Sequence, residues 1–236
     1  MSAPYLLFTR RCEFCGKTVD GAVRVCAECK GSVIPISGDH CNCCGLPKKR
    51  CHCGKGHHFY DDVTAPYIYV GGAKALIRRY KFSPDPDCAK TIAHGIARGF
   101  SACYSPADVD MIMSVPQTVN ELSSRGFDQA ELLGRICSVI LDVPYHGLLK
   151  KLYDTDSQRN VAGSERAGNV FGVFDILAGH SKHVEGKNVL LVDDVKTTGA
   201  TVDECSKMLK LYNCNKVIVS VFAVDEPEGR KENNNG

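Results

Sequence analysis

Asp193 and Asp194 stand side by side and are followed within seven residues by Thr197, Thr198, Gly199 and Thr201. Adjacent carboxylates suit the hydroxyls of a vicinal diol, and small hydroxyl residues donate to phosphate oxygens. The preceding run Val189-Leu190-Leu191-Val192 is aliphatic throughout, the pattern of a parallel-sheet strand buried on both faces. In open α/β sheets ligands bind beyond the C-terminal ends of such strands. Behind the threonines, Cys205, Met208, Leu209 and Tyr212 recur at helical spacing. A helix starting near Gly199 offers free amides and roughly half a positive charge to an anion, and glycine lets the backbone approach closely. With Val195, Lys196 and Ala200 completing the turn, the element predicts a reader of ribose 5-phosphate. A Walker A loop is excluded, because no Gly-Lys-Ser/Thr follows a glycine at the required spacing.

A second chemistry lies in the first 53 residues, which hold nine of the fourteen cysteines. Cys12-x2-Cys15 and Cys26-x2-Cys29 each present two thiolates, and two such turns close a four-ligand zinc site with no place left for water. The next set is less regular. Cys41-x2-Cys44 repeats the knuckle, but Cys51-x-Cys53 is one residue short of it, with Cys43, His40, His52, His57 and His58 nearby. The expected ligands are Cys41, Cys44, Cys51 and Cys53, with Cys43 spare. The alternatives are a histidine in place of one thiolate, or a knuckle without metal. Cys88, Cys103, Cys137, Cys205 and Cys214 fall on apolar faces and are expected to be buried thiols.

The surrounding chain must position both features. At 236 residues, 44% hydrophobic and 24% charged, it has material for one or two cores. It is too long to depend on disulfides alone, and clustered cysteines of a reducing compartment are metal ligands before they are disulfides. No apolar run approaches the roughly 20 residues of a bilayer span. The stretch Met1 to Phe8 lacks the cationic lead of a signal peptide, so a cytoplasmic protein, not an integral membrane one, is expected. Residues 1–59 carry nine Lys/Arg against four Asp/Glu, yet two tetrathiolate zinc sites would cancel about four of those five surplus charges.

Patterning changes near residue 60. Residues 1–59 are expected to form a cysteine-rich domain, 60–226 an α/β domain and 227–236 a disordered polar tail. Within the α/β part, strands are expected at 67–70, 109–115, 188–193 and 216–224. Helices are expected at 72–82, 87–102, 128–142 and 199–212, with a long loop over 152–172. Asp128 and Glu131 have capping-box spacing.

Taken together, these residues resemble a known family. Val189 to Thr201 is similar to the 5-phosphoribosyl 1-diphosphate (PRPP) signature of class I phosphoribosyltransferases. Joined to cysteine knuckles, it resembles the ComF/GntX competence family. Arg79-Tyr80-Lys81-Phe82, Val115-Pro116, Arg125-Gly126-Phe127-Asp128-Gln129-Ala130 and the central-loop residues Thr155, Gln158, Glu165-Arg166, Asn169-Val170, Gly172 and Phe174 agree with that narrower match. Asp128 departs from it, standing where the family usually has Asn.

The resemblance implies a class I phosphoribosyltransferase-like parallel sheet flanked by helices, preceded by a double zinc ribbon with two structural Zn2+ ions. It implies that Asp193 and Asp194 hold the ribose hydroxyls of PRPP, that Thr197 to Thr201 hold its 5-phosphate, and that Val115, Pro116 and Gln117 line the diphosphate with Mg2+. Arg166, Arg125 and Lys81 become candidates for stabilising the departing charge in catalysis. Three functions follow. The first is PRPP binding in support of DNA uptake, handling single-stranded DNA alongside a helicase or other uptake machinery, with Lys48-Lys49-Arg50, Phe59 and Tyr60 as a small basic and aromatic patch. The second is an active transferase with an unidentified nitrogen acceptor. The third is a PRPP-sensing regulator.

Overall fold

The cysteine-rich segment has too few apolar side chains for extended regular structure, and its described residues form the antiparallel pair β1 (Arg10–Arg11) and β2 (Thr18–Val19), the short helix α1 (Ala27–Ser32) and a 3-10 turn at Lys48–Arg50. These observations come from a computed structural model, which describes residues 10–20, 23–51, 53, 57–82, 85–117, 122, 127–152 and 173–226. The aliphatic runs beyond residue 60 have no polar face, so they require cover on both sides. They form one parallel sheet of β3 (Asp62–Thr64), β4 (Tyr67–Ile68), β5 (Met111–Ser114), β8 (Asn188–Lys196) and β9 (Lys216–Val224). The order is β3-β9-β8-β5, with β4 also pairing β9.

Three helices cover one face: α2 (Gly71–Phe82), α3 (Pro86–Ser101) and α4 (Gln129–Leu141). Leu190, Val192, Ile218 and Phe222 of the sheet meet Leu76, Ile92, Ile96 and Leu133 there. The alternate residues Val189, Leu191, Val217, Val219 and Val221 face α5 (Ala200–Leu211) and the antiparallel pair β6 (Leu149–Lys151) and β7 (Phe174–Ile176). Leu46 and Tyr60, from the end of the cysteine-rich segment, join this second core.

Helix starts follow local chemistry. Asp85 caps α3, accepting the Asp87 amide at 3.0 Å with Pro86 at the first helical position, a place where proline lacks nothing it needs. Asp128 caps α4, accepting the Glu131 amide at 2.8 Å. Only half of the expected capping box forms, because the Glu131 carboxylate turns to Arg135 one turn on.

The parallel sheet flanked by helices agrees with expectation, and three local differences do not. β8 extends three residues past Asp193, so Val195 and Lys196 are strand rather than turn. β3 has no aliphatic run to announce it; Asp62 is buried there by bonds from Tyr104 and His40. Cys103 is exposed, since it follows the end of α3 instead of lying on its apolar face, while Cys88, Cys137, Cys205 and Cys214 are buried.

Candidate functional site

The C-terminal end of β8 and the start of α5 build the site. Strand alternation sends neighbouring side chains to opposite faces. Asp193 therefore follows Val189 and Leu191 toward α5, and Asp194 follows Leu190 and Val192 toward α2. Burial, and then the charge of Asp194, push the Asp193 carboxyl up to about 8. Asp194 is 7% exposed and pairs with Lys81 Nζ, at the end of α2, at 3.0 Å. The site thus holds an acidic pair whose two members meet different walls.

The turn after β8 exposes Thr197 and Thr198 and buries Gly199. Gly199 has φ +85° and brings no side chain to cap α5, and the Ala200 amide donates to Thr198 Oγ1 at 3.3 Å. A Cβ at Gly199 would lie 2.7 Å from Lys196 Cε and 2.9 Å from its Nζ. The Lys196 ammonium therefore lies across the turn, adding positive charge to the amide end of α5. Helix amides, two hydroxyls and an ammonium form a cradle for a phosphate.

Val115 to Gln117 lie beside this end because β5 pairs with β8 in register Ser114 to Val192. The Gln117 amide donates to Asp128 Oδ2 at 3.3 Å, and burial pushes the Asp128 carboxyl up. Among the described residues, Gln117 Oε1 is buried and meets no hydrogen-bond partner. Tyr80 and Gln129 lock α2 to α4: the Tyr80 hydroxyl donates to the Gln129 carbonyl at 2.8 Å, and Gln129 Nε2 to the Tyr80 carbonyl at 3.3 Å. That lock holds Lys81 against Asp194. Arg79 turns the other way, donating to the carbonyls of Cys12, Glu13 and Phe14 and to Asp85.

Both cysteine sets converge. The thiols of Cys12, Cys15, Cys26 and Cys29 lie within 4.8 Å of one another, and so do those of Cys41, Cys44, Cys51 and Cys53. A tetrahedral zinc with sulfur at about 2.3 Å needs edges of about 3.8 Å, and Cys15 and Cys26 are 3.7 Å apart. Cys41 and Cys53 stand at 3.3 Å. Amide donors already serve the sulfurs: burial pushes Cys12 up, but the amides of Cys26, Cys15 and Phe14 bring it down to about 6. Burial likewise raises Cys41, and the amides of Cys44 and Cys43 lower it to about 6. The donor sets fit zinc, and the second has the four cysteines expected, with Cys43 outside it. Among the described residues no third group of this kind occurs.

Not every expected residue arrives. Arg125, Arg166, the central-loop residues Thr155 to Gly172 and the polar tail lie outside the described residues. The basic and aromatic patch is partly engaged: Arg50 holds Glu226 through two bonds of 2.9 and 2.8 Å and Tyr60 is buried, whereas Lys48, paired with Asp39, and Phe59 are exposed. The Lys81–Asp194 pair is the feature that spacing alone does not reveal.

Residues 4–58 match the double zinc ribbon domain, and residues 128–236 the phosphoribosyl transferase domain. The chain is 28% identical over 222 residues to competence protein F of Haemophilus influenzae, covering 90% of this chain and 96% of that one. This chain thus joins a double zinc ribbon domain to a phosphoribosyl transferase domain and is similar to competence proteins over most of its length. Another relative, 27% identical over 181 residues, is the DNA utilization protein YhgH of Escherichia coli K12, with 72% of this chain and 77% of that one covered. Among solved structures, the glutamine phosphoribosylpyrophosphate amidotransferase of B. subtilis matches at 20% identity and a TM-score of 0.41, over 56% of this chain and 25% of that one. No helix among the described residues is long and apolar enough to cross a membrane.

Proposed function

We propose that this protein binds Mg-PRPP at the end of β8 and supports the handling of single-stranded DNA during uptake. The observation that carries the reading is the convergence at one sheet end of the acidic pair, the Gly199 turn under Lys196, and Val115 to Gln117. In this reading Asp193 and Asp194 accept the ribose hydroxyls. Thr197, Thr198, Thr201 and the α5 amides hold the 5-phosphate. Lys81 steadies Asp194, and the turn at Gln117 lies along the diphosphate. Mg2+, when bound, is carried by phosphate oxygens and water and offsets the ligand's charge. The DNA role is supported by the names of the relatives, competence protein F and DNA utilization protein.

Mg-PRPP is expected to raise the melting temperature, and Asp193→Asn/Asp194→Asn to abolish the rise. An unchanged rise in that variant overturns the assignment. Hydroxyl donors prefer the carboxylate, so binding to a carboxyl near 8 releases a proton. Affinity therefore increases from pH 7 to pH 9 and levels off above the free group's value. Asp193→Asn flattens that profile. Diphosphate release across a panel of bases, amines and ammonia would favour the transferase reading instead, with Lys81 beside the reacting sugar.

A further inference from the structure

The second cysteine cluster leans on the phosphate turn itself. Between Cys41 and Cys44, the carbonyl of Cys43 accepts the Tyr60 hydroxyl at 2.7 Å. The same hydroxyl lies 3.6 Å from where a Gly199 Cβ would stand. His58 stacks on the Tyr60 ring at 4.9 Å and 16°. Next to them, the Phe59 amide donates to Asp203 Oδ1 at 2.7 Å, and the Asp203 amide closes the first turn of α5 on the Gly199 carbonyl at 2.9 Å. Phe59 and Tyr60 thus both meet the start of α5, the first through Asp203 and the second beside Gly199.

We propose that the cluster of Cys41, Cys44, Cys51 and Cys53 and the turn Thr197 to Gly199 form one coupled unit, in which a zinc ion on the cysteines sets the affinity of the turn for a 5-phosphorylated ribose. The inference rests on the phosphate reading of that turn given above. Its physical basis is the buried Tyr60 hydroxyl. With the four thiolates gathered on a metal, the Cys43 carbonyl has a fixed place and the hydroxyl is satisfied. Without metal the knuckle loses its organising contacts, and a buried hydroxyl deprived of its acceptor is costly. The ring then leaves its position beneath Gly199, and the turn loses its support. Among the described residues the contacts of the first cluster run instead to the α2 side, from Arg79 to the Cys12 carbonyl, from Ser32 to the Gly72 amide and from Phe14 to Tyr67.

Coupling between binding sites is reciprocal and commonly amounts to about 5- to 150-fold. The test titrates ribose 5-phosphate by calorimetry into the full chain loaded with zinc, and into the Cys51→Ser/Cys53→Ser and Cys12→Ser/Cys15→Ser variants. Emptying the second cluster is expected to weaken binding about tenfold, and emptying the first to leave it within about twofold. Conversely, saturating ribose 5-phosphate should raise the zinc affinity of the second cluster by the same factor, read by equilibrium competition with a chromogenic chelator. Tyr60→Phe guards against misfolding of the cysteine variants: it is expected to retain two zinc ions and to shrink the coupling toward one. Ribose 5-phosphate binding equally well with the second cluster empty, or full coupling in Tyr60→Phe, overturns the proposal alone. Failure of ribose 5-phosphate to bind the fully loaded chain overturns both the proposal and the phosphate reading beneath it.

Discussion

The two cysteine clusters have the same four-thiol composition and rest on different foundations. The first is held by one long side chain: Arg79 reaches three of its carbonyls from α2, and Phe14 packs edge-on against Tyr67 at 5.9 Å. The second sits on the C-terminal ends of the sheet strands. Gly45 lies so close that a Cβ there would meet Val63 and Val224 at 2.9 Å, and Leu46 is 2% exposed in the core shared with α5. Identical ligands can thus be buried in the core beside α2 in one place, where Cys12 and Cys29 are 0% and 3% exposed, and stand part-buried beside the ligand site in another. The difference lies in what the sequence between the cysteines touches.

Stripping the metal tests whether the clusters are equivalent at the start. Two zinc equivalents per chain are expected on thiol modification, with large loss of folded signal, since structural zinc contributes roughly 10 to 16 kcal/mol to small domains. A single equivalent would break the parity. Glycine substitution then separates the foundations. Gly45→Ala forces a side chain into left-handed backbone at φ +78°, about 1 to 2 kcal/mol, and overpacks two valine methyls, about 1 to 3 kcal/mol more. Gly16→Ala has the same backbone problem at φ +76° but meets only the Arg79 side chain, at 3.2 Å, just inside ordinary contact distance. The urea midpoint should therefore fall clearly further for Gly45, and equal midpoints would remove the contrast.

Arg79→Met is expected to cost about 2 kcal/mol, the scale for leaving part-buried polar partners unpaired. It should expose the first knuckle to limited proteolysis while leaving ribose 5-phosphate affinity unchanged. The smallest effect belongs to Arg50→Gln. Its pair with Glu226 has side chains 43% and 28% exposed, and such pairs are worth about 0.2 to 1 kcal/mol. A loss above about 2 kcal/mol in a thermal melt would show that this ion pair, rather than Gly45 and Leu46, fastens the second knuckle.

What spacing could reveal here was local. The CxxC turns, the aliphatic run before Asp193 and the threonines after it each state their chemistry within a dozen residues, and the structure gathers each set of four cysteines and forms the strand and helix on either side of the turn. Contacts between distant segments left no such trace. Lys81 meets Asp194 because Tyr80 and Gln129 lock two helices, and neither lies near β8 in the chain. Tyr60 read as an exposed stacking ring because its neighbours are polar, yet it is the prop beneath Gly199. β3 escaped notice because its buried Asp62 is satisfied by His40 and Tyr104, from opposite sides in sequence.

The position of β9 in the sheet also governs the order of assembly. β9 lies between β3 and β8, carries β4 on the same edge as β3, and comes after every other described strand in the chain. While the ribosome is still making it, β3 lacks its strand partner, β4 has only the short segment Ile34 to Ile36 to bond with, and the bond from Arg50 to Glu226 cannot exist. The cysteines of the second cluster can gather an ion early, but part of their platform, Val224 of β9, is synthesised well after them. Such late, long-range pairing makes for slow folding. The interval during which Val63 and Ile68 stand uncovered is when a nascent chain most needs a chaperone.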